Sequence, residues 1–244
     1  MIEYTKGDEK MGNLQIDIKD GYVAIHSIDQ DDRQEKSVRY VSPGTFGRAV
    51  SQGVKFDTGL LPEHCVAYKQ QGYTIMVATV TSETIENVKF ARNLPNNRIK
   101  IEEFKIPIPP MLWIYELDSV NRNLRHMFVH GLDNDQLKPT SKIYYPPFGN
   151  VHANGDICIG EALGHKSEFK YKSLYGLTSI PSAFITSVFN TDLEPRFKKQ
   201  LDKPACLGFF KFANGMESFP YEVLASRNLT FKTLWGGMQT DEDE

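Results

Sequence analysis

Residues 138–161 read KPTSKIYYPPFGNVHANGDICIGE. Ser141–Tyr145 has the composition of a short strand, and Pro146-Pro147 end it, because proline cannot donate to a sheet ladder. The chain then enters a loop carrying Asn150, His152 and Asn154, with Asn154-Gly155 as a turn pair. Past the turn it presents Cys158 between Ile157 and Ile159. A cysteine flanked by isoleucines is core by default. A thiol in such a loop can be reachable, whereas one inside an amphipathic element usually is not.

On either side of this segment the chain reads as strands and short helices. Met111–Leu117 and Leu124–Val129 are apolar runs of strand length joined by the polar turn Asp118–Asn123, and with Ser141–Tyr145 they predict an antiparallel meander. Downstream, Ile180, Phe184, Ile185, Val188 and Phe189 fall at helical spacing and predict a helix over Leu177–Phe189. A second short helix is expected over Glu194–Leu201. Upstream, Tyr73–Val80 is an apolar run of strand length. Leu14, Ile16 and Ile18 alternate with polar residues ahead of Asp20-Gly21 and Tyr22–Ile25, the pattern of a hairpin. Ser42-Pro43-Gly44 before Phe46–Val50 has the order of a helix start, with Gly53 as its stop. The proline-rich Ile106-Pro107-Ile108-Pro109-Pro110 suits neither a helix nor a central strand. It predicts a boundary near residue 105, dividing a β-rich region (1–104) from a core (105–244); Pro109-Pro110 also suit the first residues of a strand. The acidic tail Asp241–Glu244 reads as a solvated end.

At 244 residues, 40% hydrophobic and 24% charged, the composition is that of a soluble globular chain. A chain this long buries roughly 70–75% of its unfolded surface without a disulfide or metal staple. The net charge of −3, with basic residues spread throughout, argues against a nucleic-acid binder. Cys65, Cys158 and Cys206 are odd in number and lack zinc-ribbon spacing. The polar N-terminus lacks the apolar stretch of a signal peptide, and Tyr73–Val80 falls far short of the ~20 residues that span a bilayer. The expectation is a cytoplasmic protein with no membrane partner.

The 138–161 segment resembles the active-site region of ubiquitin-conjugating enzymes. There a proline-ended strand leads to a His-Pro-Asn triplet, and the catalytic cysteine lies eight residues beyond the asparagine in a Gly-x-Ile-Cys-Leu context. Asn150 stands eight residues before Cys158, and Gly155, Ile157 and Ile159 occupy the flanking positions, Ile159 where the family has leucine. The helix containing Ser179–Phe184 resembles the one that follows the family's active site. The resemblance covers about residues 107–200 and is closest to the prokaryotic branch, family D and the PRTRC protein B type. Phe148 and Gly149 replace the family's histidine and proline, Gly160 replaces an acidic residue, and Tyr175 stands in the place of a tryptophan. The resemblance implies an α+β fold: a UBC-like core with an antiparallel meander, an active-site loop and C-terminal helices, preceded by the β-rich N-terminal region.

It also implies a chemistry. Cys158 would accept a ubiquitin-like protein as a thioester from a ThiF-like adenylating enzyme and pass it to an amine of a lysine-bearing target. Asn150 would donate to the oxyanion formed when the amine attacks, and Asp192, or Glu194 beside it, would orient and deprotonate that amine. No resident cofactor or metal is expected, since ATP is consumed by the adenylating partner. Cys65 and Cys206 read as structural. A cysteine hydrolase pairing Cys158 with His152 or His165 is disfavoured, because Asp156 and Glu161 would raise the thiol pKa. A zinc site from His152, Cys158 and His165 lacks a fourth ligand. The rival is a catalytically inactive adaptor of the same fold that binds a ubiquitin-like protein or the adenylating enzyme. Gly236-Gly237, seven residues from the end, reads as a loop rather than a processed tail.

Overall fold

A computed structural model of the chain describes residues 13–19, 22–28, 35–43, 61–158 and 173–238. It divides into two compact units, Met1–Asp57 and Thr58–Glu244. The division expected near residue 105 therefore falls inside the second unit.

In the first unit, β1 (Asn13–Lys19), β2 (Tyr22–Ile28) and β3 (Glu35–Val41) form an antiparallel sheet in that order. Ile16 lies opposite Ile25 and Ile18 opposite Val23, the pairing that the alternation predicts. The helix expected after Ser42-Pro43 falls on residues outside the described ones, as do the acidic tail and His165.

The second unit holds β4 (Cys65–Gln71), β5 (Thr74–Thr81), β6 (Thr84–Leu94), β7 (Arg98–Ile108), β8 (Met111–Asp118), β9 (Leu124–Gly131), β10 (Lys142–Tyr144), β11 (Val188–Phe189) and β12 (Ser226–Thr230). Its helices are α1 (Ile180–Ile185), α2 (Ala205–Ala213) and α3 (Phe231–Gly237). One sheet runs β12-β10-β9-β8-β5-β4, antiparallel throughout, and contains the expected meander. A second runs β11-β6-β7, with β11 parallel to β6. The class is α+β, rich in strand.

Period-two alternation divides the large sheet between two cores. Ile75, Val77, Trp113, Tyr115, Met127 and Val129 face the second sheet, α1 and α2. Met76, Ala78, Val80, Leu112 and Ile114 face the other way, against Leu234 of α3. A strand buried on both faces reads as a nearly continuous apolar run, which is why β5 does, broken only by Thr74 and Thr79 before its last residue.

Three elements depart from expectation. β6 and β7 form a long hairpin across 84–108, where a boundary is expected. β7 lies at the edge of its sheet, where Pro107 withholds no ladder bond from a neighbour. The helix over Leu177–Phe189 is instead a 3₁₀ segment (Leu174–Ser179) followed by the short α1. Thr186 Oγ1 donates to Ser182 O at 2.8 Å at the helix end. Val188 and Phe189 are then drawn into strand by pairing with Lys89 and Phe90. Glu194–Leu201 is not helical. Lys198 N donates to Val223 O at 2.9 Å, Phe197 stacks on Phe209, and the helix lies further on, at α2.

Candidate active site

The segment 145–158 follows β10 and folds back on itself. Phe148 is fully buried, stacked on Phe189 with ring centroids 5.3 Å apart and edge-on to Phe184 at 6.0 Å. It anchors the triplet as a core residue, so an aromatic hydrocarbon satisfies this position.

Gly149 sits in a tight place. A Cβ there would stand 3.1 Å from Leu193 O and 3.2 Å from Asn190 O, because the backbone of 190–193 crosses directly over it. Its N–H donates to Cys206 Sγ at 3.3 Å. Cys206 is thus a buried structural thiol, pushed up in pKa by its burial. Cys65 is half-buried and its thiol is likewise raised by burial.

Asn150 turns the chain. Its φ of +59° lies in the left-handed region, which asparagine tolerates better than most residues. The chain then doubles back as a small hairpin. Val151 bridges Ile157, His152 N donates to Asp156 O at 2.9 Å, and Gly155 N donates to His152 O at 2.9 Å. The closing bond is Cys158 N to Asn150 O, 2.8 Å. The eight-residue spacing therefore makes Asn150 and Cys158 backbone partners. Val151 and Ile157 point into the core, and Cys158, next in the alternation, is exposed. The Asn150 side chain is held by its Nδ2 donating to Val188 O at 3.1 Å. An amide nitrogen carries two protons, and this bond uses one.

The hairpin is tied to the sheet from below. Ile157 N donates to Met127 O at 2.8 Å and Val129 N to Gly155 O at 2.9 Å. Gly155 has a φ of +98°, and a Cβ there would collide with the imidazole of His130. His130 is buried, and Arg227 Nη1 lies 2.8 Å from its Nδ1 and 2.8 Å from Asn154 O. Burial, reinforced by the Arg227 charge, pulls the His130 pKa down to about 3. The ring is therefore neutral. Because arginine only donates, Nδ1 is the acceptor and Nε2 carries the proton. Arg227 also lies over the Tyr145 ring at 5.5 Å, and Arg196 lies 5.0 Å from the same centroid.

Asp192 is exposed on the 190–193 loop that covers Gly149. Its Oδ2 accepts from Asn190 Nδ2 and its N–H donates to Asn190 Oδ1, both at 2.9 Å. Glu194 serves the fold instead, its carboxylate accepting the N–H of Ala205, the first residue of α2. That contact caps the helix. His152 is exposed at the hairpin tip. It joins Tyr145, Phe148, Leu193 and Arg196 around an open pocket of about 190 Å³. Among the described residues no cluster of His, Cys, Asp or Glu is placed to hold a metal ion. The Arg227–His130–Gly155 contact had no signal in the sequence, because His130 and Arg227 are 97 residues apart.

The site is thus an exposed cysteine on a strand-anchored loop, backbone-paired to an asparagine turn in an α+β scaffold. The family model described as prokaryotic E2 family D matches residues 45–225, and the chain belongs to that bacterial conjugating-enzyme-like family. No curated protein and no solved structure matches the chain. No helix among the described residues is long and apolar enough to cross a membrane.

Proposed function

We propose that this protein is a thioester-forming conjugating enzyme. A Cys158 thiolate attacks the thioester carbonyl of a ubiquitin-like protein carried by a ThiF-like adenylating enzyme, forming a new C–S bond and expelling the donor's thiolate. A lysine amine of the target then attacks the Cys158 thioester. The tetrahedral oxyanion collapses to an amide, Cys158 leaves as thiolate, and the amine proton passes to a base. The observation that carries this reading is the 2.8 Å bond from Cys158 N to Asn150 O, which pairs the backbone of the exposed cysteine with that of the asparagine turn.

Asn150 is the oxyanion donor in this scheme, its orientation fixed by Val188 O. Such donors are commonly worth ~10²–10³ in rate. Asp192, on the loop covering Gly149, is the group proposed to receive the amine proton. The UBC-like arrangement is part of the same proposal. The β8-β9-β10 meander feeds the cysteine loop, and the 3₁₀ segment with α1 follows it in the chain. Burial of Phe148 and the close approach at Gly149 give the altered triplet a packing reason.

The test replaces the thiol by a hydroxyl. With ATP, the adenylating enzyme and the ubiquitin-like protein of the same cells, Cys158→Ser should trap the modifier as an ester that survives thiol reductants. Wild type should give a reductant-labile adduct. If the adenylating enzyme charges itself and neither form of position 158 is modified, the adaptor reading replaces this one.

A further inference from the structure

The outer edge of β7 carries self-complementary chemistry. β7 ends the β11-β6-β7 sheet, and among the described residues no strand pairs with its far side. At Lys105 the outward groups are taken: Gly215 N donates to Lys105 O at 2.8 Å, and Lys105 N donates to Asn214 Oδ1 at 3.0 Å. Outward-pointing backbone groups recur every second residue, so Glu103, Ile101 and Ile99 also aim their N–H and C=O away from β6. Ile99 is 67% and Ile101 53% exposed. Sheet edges are ordinarily guarded by charge, proline or a cover; here Pro107 and the Asn214–Gly215 cover guard only the far end, and the run Arg98-Ile99-Lys100-Ile101-Glu102-Glu103 carries no net charge.

We propose that a second copy of this chain pairs antiparallel with β7 about a two-fold axis through Ile101. Charge selects that register. An axis through Lys100 sets lysine against lysine, and one through Glu102 or Glu103 sets carboxylate against carboxylate. An axis through Ile99 opposes Arg98 to the partner copy's lysine. With the axis at Ile101, each Lys100 faces the Glu102 position of the other copy, at the close, non-hydrogen-bonded spacing. Ile101 meets its own counterpart, and Ile99 and Glu103 exchange ladder bonds. Within one copy Glu102 already gathers Arg92 at 3.3 Å and Lys100 at 3.4 Å; the second lysine completes an alternating cluster across the axis. The contact is isologous, so it closes at two copies rather than extending into a fibre.

The full-length protein should sediment as a dimer in a concentration-dependent equilibrium. Ile101→Lys, an exposed change that spares both cores, should leave it monomeric with an unchanged circular-dichroism spectrum. Register is read by cross-linking in a Cys158→Ala background. Lys100→Cys chains mixed with Glu102→Cys chains should form a disulfide under mild oxidation, while neither does so alone, and Ile101→Cys should link to itself. A protein that stays monomeric at every concentration overturns the proposal. So does a dimer indifferent to Ile101→Lys, or self-linking of Lys100→Cys.

Discussion

Gly155→Ala should be among the most damaging single-methyl additions in this protein. Two costs combine. The φ of +98° at Gly155 is outside the range that alanine accepts readily, and holding it there costs on the order of 1–3 kcal/mol. The new Cβ would also strike the His130 imidazole, which is buried and fixed by Arg227 at 2.8 Å. Displacing the ring breaks a charge-assisted hydrogen bond in the interior, about 1.5–3 kcal/mol. Together these give roughly 2.5–6 kcal/mol, at the upper end of what point changes do. Urea denaturation of wild type, Gly155→Ala, His130→Ala and the double variant resolves the two parts. His130→Ala empties the space that the methyl needs, so the double variant should recover the steric share, a coupling of about 1.5–3 kcal/mol. The rate of alkylation of Cys158, three residues on, should shift with Gly155→Ala and return in the double variant. A loss below ~1 kcal/mol for Gly155→Ala, or strict additivity in the cycle, would mean that the methyl and the ring do not collide.

Other outcomes follow from the same geometry. Asn150→Ala should leave thioester formation intact and slow discharge to lysine by ~10²–10³. Asn150→Gly, which keeps the left-handed turn at φ +59°, should show the same kinetic loss with less loss of stability, separating side chain from backbone in single-turnover assays. Phe148→Ala should cost about 3–5 kcal/mol in chemical denaturation through the cavity it leaves among Phe184 and Phe189. The pH dependence is set partly by His130. Its folded pKa of about 3 lies below the ordinary histidine value, so between these limits the unfolded chain binds the extra proton. Its contribution is therefore present above pH ~6.5 and declines on acidification, by at most ~1.4 kcal/mol per pH unit. His130→Gln should flatten that part of a stability–pH curve measured by denaturation.

What was legible in the residues alone follows from the range of the interactions involved. β1, β2, β5, β8 and β9 were readable because each strand's own residues carry the pattern, as alternation or as a nearly continuous apolar run. The β6–β7 hairpin was not, since Ile99 and Ile101 face solvent among charged residues and Pro107 imitates a boundary. α2, ACLGFFKFA, is apolar almost all round and carries no cap of its own. Its cap is Glu194, eleven residues upstream. At the candidate site, the Asn150–Cys158 spacing was visible because one small hairpin closes it locally. The supports are remote: Cys206 under Gly149, Arg227 under Asn154, and the 190–193 backbone above the triplet. No local pattern announces contacts of that kind.

Whether Cys158 carries an acyl group is decided by intact-mass spectrometry under non-reducing conditions. Wild-type protein, ATP, the adenylating enzyme and the ubiquitin-like protein of the same cells would be combined and the conjugating-enzyme-like chain weighed. A thioester-forming enzyme should gain a mass equal to one modifier less one water, removed by a thiol reductant and abolished by Cys158→Ala. An adenylating enzyme demonstrably charged with its modifier, beside a wild-type chain of unchanged mass, would show that Cys158 is no acyl carrier.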